Sequence, residues 1–486
     1  MAFIRTAKTG SGATAVQIAH KSHGQIIRIE HIGSAHSDAE LQLLLTLARQ
    51  RLLGNQRALF SEPADRTTRI GLKRSFSDLL LQVLYEQYRQ LGFDQLADED
   101  FAYLCVARLV EPTSKLDSLR VLTDLGITGI NEDKLYRCLQ RVVANKYRDK
   151  LAKLCFGHAA AQEEGITLVL YDVTTLYFEV QKEDDYRKPG MSKERRLEPQ
   201  IIVGLLVDQT GFPLELSSFE GNKAETTTIL PVVEQFKKRH GLLDVTVVAD
   251  AGMLSAKNLE ALSAAGYSYI VGSRLNKIPY DIAEYQKTKE LTDNQIITSK
   301  SAVDGQRIVY QYRAKRATLD QRNIDKQVAK AEKIVSGKTT AKRAKFLTVK
   351  TKEKVLNQAL IDKAKALIGV KGYVTNVSIP DKQVIAYYHQ LWNVEVSFRM
   401  SKSDLRARPI FHHKQDAIEA HLTIVLAALA IGRTVERQTG ISLKQLVKTL
   451  RPIRSGAITL NGMEYPVEPD IPLSVVPLLK KLRVGH

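Results

Sequence analysis

Two aspartates interrupt otherwise apolar stretches of the chain. Asp172 lies inside LVLYDVTTLYF, and Asp250 closes DVTVVAD just before Ala251 and Gly252. A buried strand tolerates a carboxylate only where its charge is compensated. A residue leaving the C-terminal end of a sheet strand is also well placed to face a cleft. Two such strands in one sheet would gather hard oxygen donors of the kind that suit Mg²⁺. A third carboxylate, Glu395, falls in a helical segment, with Tyr388 seven residues earlier, Arg399 four later and Lys402 seven later. Those spacings are close to whole helical turns and predict one shared face. Three carboxylates can hold two cations roughly 3.5 to 4 Å apart, one activating water or a 3′-hydroxyl and the other stabilising the leaving oxygen. Taken alone, Glu395 and Arg399 also read as an ordinary exposed i,i+4 ion pair.

The rest of the composition narrows the substrate. Among 486 residues, 71 Lys and Arg outnumber 53 Asp and Glu, leaving +18 and a pI near 9.5. Such an excess attracts polyanions, nucleic acid first among them. The length suits about three domains with a well-buried core. Cys105, Cys138 and Cys155 show no Cys-x-x-Cys spacing, which excludes a zinc knuckle and a disulfide framework and fits a reducing cytoplasm. The opening MAFIRTAKTGSG lacks a signal-peptide apolar region, and the apolar run LTIVLAALAI is too short to span a bilayer, so no membrane partner is expected.

These residues need a sheet and helices to carry them. A hairpin is predicted from about Ala15 to Ile32 around His23-Gly24. Helical spacing follows from Ser37 to about Ala160, with cap-like starts at Ser37, Ser75, Asp98 and Asn131. The helix from Asn131 to Val143 follows a Gly-containing break and is rich in Lys and Arg. It reads either as the second helix of a helix-turn-helix or as half of a plain helical hairpin. From Ile166 the period becomes strand-like: ITLVLYDVTTLYFEV, PQIIVGLLVD and FPLELSSFEG, with DQTG turning between the last two. Helix and strand then alternate through DVTVVADAG and YSYIVGSRL, which describes an α/β fold, a mixed sheet with helices on its faces.

Between about Lys287 and Lys365 a basic segment breaks that rhythm. From Lys300 to Lys365 there are 18 Lys or Arg against 6 Asp or Glu, with Tyr310, Tyr312 and Phe346 interleaved as aromatic surfaces on which a base could stack. The sheet resumes at GYVTNVS, and one helix is predicted from Pro380 to about Leu405, with Trp392 packing it against the sheet. Another long helix runs from about Asp416 to Glu436, before a small hairpin and a terminal helix.

The residues around the three carboxylates resemble the DDE transposases of bacterial insertion sequences, in the group whose signature is Tyr-x2-Arg-x3-Glu-x6-Lys. Tyr388, Glu395 and Lys402 fall in register, while Leu391 stands where the signature has Arg; Arg399 offers a substitute cation. YDVTTLYFE, GMSKERRLEPQIIVGLLVDQTGFPLELSSFEGN, VVADAGMLS and FRMSKSDLRARPIFHHKQDAIEAHL extend the resemblance over most of Ile166 to Ile431.

The resemblance implies an RNase H-like core with an insertion domain between the second Asp and the Glu. The domain reading is 1–160, an N-terminal hairpin plus helical DNA-binding domain; 161–286, the first part of the core; 287–366, the basic insertion; 367–440, the second part with the catalytic helix; and 441–486, a C-terminal extension. Asp172, Asp250 and Glu395 are implied as catalytic metal ligands for two Mg²⁺, with Mn²⁺ able to substitute. Tyr388, Arg399 and Lys402 are the expected DNA contacts, joined by Lys193, Arg195 and Arg196 as phosphate contacts. The implied activity is cleavage of terminal inverted repeats and strand transfer into target double-stranded DNA by a homodimer, in the bacterial cytoplasm with the nucleoid. The rival expectation is a catalytically inactive, sequence-specific DNA-binding protein derived from a transposase.

Overall fold

The structure is a computed structural model that describes residues 2–9, 12–22, 24–53, 70–162, 166–179, 182–190, 198–241, 245–252, 255–273, 275, 278–301, 303, 305–339, 344–350, 353–460 and 463–483. They form two compact units, one of 1–90, 102–135 and 435–486, the other of 91–101 and 136–434.

In the first unit, β1 (Ala2–Lys8), β2 (Thr14–Ser22) and β3 (Gln25–Ala35) make an antiparallel sheet in that order. The tight turn between β2 and β3 uses Gly24 at φ +84°, a region that L side chains avoid. Val16, Ile18 and Ala35 pack on Leu44 and Ala48 of the Asp38–Leu53 helix. That helix starts with a Ser37 N-cap: Glu40 N donates to Ser37 Oγ, and the Glu40 side chain reaches back one residue further, accepting from His36 N.

The run predicted to be helical to Ala160 is interrupted by β4 (Ile70–Phe76), so Ser75 lies in a strand and not at a cap. β4 pairs with β15 (Ser455–Leu460), which pairs with β16 (Met463–Val467). Arg451 and Arg454 of the same C-terminal stretch bracket Asp124 at 2.9 and 2.7 Å, tying it to the helical part.

The second unit is built on an eight-stranded mixed sheet. Its strands are β5 (Leu168–Tyr177), β6 (Gln200–Asp208), β7 (Pro213–Glu220), β8 (Thr246–Ala249), β9 (Ser268–Ser273), β10 (Ile296–Lys300), β11 (Arg307–Tyr312) and β14 (Val370–Thr375). The order is β10-β11-β14-β9-β8-β5-β6-β7. β5, β6 and β7 are antiparallel neighbours, while β8 and β9 run parallel to β5. Every residue of β6 is buried, as expected for a strand covered on both faces. The DQTG turn forms as predicted: Asp208 Oδ1 accepts from the backbone N–H of Thr210 and Phe212, with Gly211 at φ +86°.

The basic stretch divides between two settings. β10 and β11 extend the main sheet. The helix Ala314–Val335, the hairpin of β12 (Leu347–Lys350) and β13 (Glu353–Leu356), and the helix Gln358–Ala366 build a separate cluster on Ile324, Ala331, Phe346 and Ile361. Tyr310 and Phe346 are buried, which removes both as surfaces for a base. The helix Gln415–Thr439 is long and apolar enough to cross a bilayer by length and composition, but 89% of its apolar stretch is buried within the protein.

Candidate active site

Strand register brings the two aspartates together. β5 and β8 are adjacent and parallel, with Tyr171 opposite Ala249. Asp172 and Asp250 each come one residue after that last pair, Asp172 still inside β5 and Asp250 just past the end of β8, so the register carries both to the same end of the parallel pair. β8 ends at Ala249, which leaves Asp250 exposed at the strand's C-terminal end, while Asp172 is half-buried. Burial, and then the charges of Asp172 and Glu225, push the neighbouring Tyr171 phenol well above its ordinary range.

The predicted single helix from Pro380 to Leu405 is three pieces: Asp381–His389, Trp392–Arg399 and a π-helical turn, Met400–Asp404. Around Gln390 and Leu391 the backbone tightens to i to i−3 bonds, with Leu391 N donating to Tyr388 O at 3.1 Å, and Leu391 turns inward. The second piece is fastened to the β6–β7 turn. Asn393 Nδ2 donates to Gln209 O at 2.7 Å, and Ser397 Oγ donates to Gly211 O at 2.6 Å. Val394, Ser397 and Phe398 are buried as this helix packs on β5 and β6.

The break separates residues predicted to share one face. Tyr388 points inward and is only 4% exposed, whereas Glu395 and Arg399 are exposed and Lys402 is half-buried in the π-helical turn. Trp392, expected to pack against the sheet, is instead 60% exposed, because Val394 and Phe398 fill that interface. Lys193, Arg195 and Arg196 lie outside the described residues.

Tyr388 reaches the second aspartate directly: its hydroxyl donates to Asp250 Oδ1 at 2.9 Å. Burial, followed by the Asp250 charge, pushes the phenol well above its ordinary range, so it remains a donor at neutral pH. Lys371 of β14 was missed from sequence. Its ammonium sits 4.3 Å from the centre of the Tyr388 ring. Burial and the charge of Arg316 lower its pKa, while Asp250 and Glu395 both oppose that shift, which places Lys371 in the field of both carboxylates. Lys371 and Tyr373 alternate onto one face of β14, a parity that becomes informative only when the neighbouring strand is known.

As donors, the residues fit a divalent cation. Asp172 and Asp250 offer hard oxygens at one end of the β5–β8 pair, and Asp250 Oδ1 is held by Tyr388. Among the described residues, however, no three His, Cys, Asp or Glu side chains are grouped tightly enough to hold one ion, so Glu395 does not close the third corner here.

The frame of the site is thus a mixed sheet with Asp172 on β5, Asp250 just past the end of β8, and Glu395 on a helix packed against β5 and β6. The chain belongs to the transposase DDE domain family, which it matches over residues 163–431. Comparison with curated proteins finds no match. Among solved structures, the piggyBac transposase synaptic complex with hairpin DNA is 10% identical, covering 76% of each chain with a TM-score of 0.41. The Mos1 transposase paired-end complex with left transposon end is 11% identical, covering 46% of this chain and 66% of that one with a TM-score of 0.16.

Proposed function

We propose that this transposase binds the terminal inverted repeats of an insertion sequence, cleaves the DNA there and joins the 3′-hydroxyl ends to target DNA. Asp172, Asp250 and Glu395 would hold the divalent cation, Mg²⁺ with Mn²⁺ as a substitute, two per site in the full assembly. A cation bound there supplies activation of the attacking oxygen and stabilisation of the leaving one. Among the described residues Glu395 is not grouped with the aspartates, so it would have to approach them for all three to share a cation. Arg399 and Lys402 neutralise phosphate beside it, joined by Lys193, Arg195 and Arg196.

The DNA-reading parts are the N-terminal region 1–160, including the helix Glu132–Ala144, and the basic insertion 287–366. The working form is a homodimer on paired DNA ends, in the cytoplasm with the nucleoid. The observation that supports this reading is the parallel pairing of β5 with β8, in which Asp172 and Asp250 each follow the last paired residues, Tyr171 and Ala249.

The test is to incubate the full chain with Mg²⁺ and a DNA fragment carrying the element's natural boundary, and to map products on a denaturing gel beside Asp172→Ala. Nicks at the boundary that need both Mg²⁺ and Asp172 support the reading. A persistent gel shift with no Mg²⁺-dependent nicking would instead identify a DNA-binding derivative without catalysis.

A further inference from the structure

We propose that Tyr388 is a positioning residue for Asp250, and not a contact to DNA. The inference rests on the reading of Asp250 as a metal ligand and deepens it.

The geometry leaves the phenol no outward face. Tyr388 is 4% exposed, its ring lies 4.8 Å from that of Tyr373, and the Lys371 ammonium covers it at 4.3 Å. Its hydroxyl is spent on Asp250 Oδ1 at 2.9 Å. An exposed aspartate at a strand end turns freely about its side-chain torsions; one fixed donor removes that freedom and leaves Oδ2 to meet a cation. Hydrogen-bonded partners of ligating carboxylates tune metal sites in this way.

The strand beneath is shaped for the same contact. A Cβ built on Gly272 of β9 would lie 2.7 Å from the Tyr388 hydroxyl oxygen and 3.1 Å from Ala251 Cβ. A side chain there would crowd the phenol, so the glycine leaves the space in which the hydroxyl meets Asp250. Gly272 also pairs with Tyr373, so the residue that clears room for the phenol is tied to the one that backs its ring. The bond joins the helix leading into the Glu395 segment to the end of β8, coupling the two ligand-bearing elements.

The experiment is a calorimetric Mn²⁺ titration of the full chain, comparing wild type with Tyr388→Phe, Gly272→Ala and Asp250→Ala, alongside binding to a boundary DNA fragment without metal. Tyr388→Phe is expected to weaken Mn²⁺ about tenfold, to leave DNA affinity unchanged, and to regain boundary nicking when Mg²⁺ is raised. Gly272→Ala, which keeps the hydroxyl but displaces it, is expected to weaken Mn²⁺ in the same direction. It serves as the readout should Tyr388→Phe fail to fold. Wild-type Mn²⁺ affinity in both variants, or impaired DNA affinity with Mn²⁺ binding intact, overturns the positioning role alone. Equal Mn²⁺ binding by wild type and Asp250→Ala overturns the metal-ligand reading and this inference together.

Discussion

Asp172 on β5 and Asp250 just past the end of β8 each come one residue after the paired Tyr171 and Ala249 of adjacent parallel strands. Asp172 is half-buried and Asp250 exposed, so neither carboxylate fills the apolar core that holds the sheet. Asp172→Asn or Asp250→Asn is therefore expected to separate stability from function. Nicking falls by more than the roughly 10- to 100-fold that changes behind a ligand produce. Thermal melting without metal stays level or rises, by about 1 kcal/mol or less because the pair is partly solvated. Melting curves and boundary nicking on the same preparations check both halves.

Lys371 gives a prediction of opposite sign. Its charge lies in the field of Asp250 and Glu395 and opposes any cation arriving between them. Lys371→Met is expected to tighten Mn²⁺ severalfold, whereas Tyr388→Phe loosens it. Calorimetric titration reads both, and a Lys371→Met protein with weaker Mn²⁺ binding would mean that the lysine acts by packing on the Tyr388 ring.

Acid stability should be governed in part by Asp98. Its side chain is 4% exposed and accepts from Arg141 at 2.8 and 2.9 Å, from Tyr147 at 2.9 Å and from the Phe101 N–H at 3.1 Å. Burial alone would raise its pKa, but these donors together hold it below the ordinary carboxylate range. A depressed folded-state pKa contributes stability above the unfolded value of about 3.9, and that contribution disappears as pH falls through the folded value. Asp98→Ala is expected to cost about 2 kcal/mol at neutral pH, with the gap to wild type narrowing as the pH falls below the ordinary carboxylate range. Urea unfolding across pH 2 to 7 (about that range) measures it.

What the sequence disclosed was mostly local chemistry. The Asn131 cap forms, with Lys134 N donating to Asn131 Oδ1 at 3.0 Å, and the Asp208 turn closes because each is decided within a few residues. The family resemblance, carried by motifs, located the core and its mixed sheet. Pairing across the chain was not legible: β4 finds Ser455 opposite Phe76, and nothing near Phe76 announces that partner. The helix break at Leu391 was hidden for a related reason. Whole-turn spacing between Tyr388 and Glu395 assumes a continuous helix, and the anchors that redirect it, Asn393 and Ser397, bond to a turn nearly two hundred residues earlier.

Trp392 shows the consequence of that break. It is the chain's single tryptophan and is 60% exposed, so the packing role read from sequence does not apply. Trp392→Ala is expected to change stability by less than about 0.5 kcal/mol. The wild-type protein should show red-shifted emission readily quenched by acrylamide. Blue-shifted, protected emission would place the indole in an interior.

The helix Ala314–Val335 offers the test of how the basic segment meets DNA. Ile324, Ala331 and Ile334 are buried on its inner side, while Lys315, Arg322, Lys326 and Lys333 are exposed at intervals of seven, four and seven residues along one stripe. A solvated basic face and a phosphate-binding face look alike in charge but differ in their response to salt. Each phosphate neutralised on a duplex releases condensed counterions and contributes about −0.9 to the slope of log K against log salt. Replacing Arg322 and Lys326 together by Ala is expected to reduce the magnitude of that slope by about 0.9 for each phosphate left unneutralised. It should also weaken specific and unrelated DNA alike, because phosphates carry no base sequence. Binding isotherms over a series of salt concentrations decide the matter: an unchanged slope assigns the stripe to solvent and leaves the N-terminal region to hold the DNA.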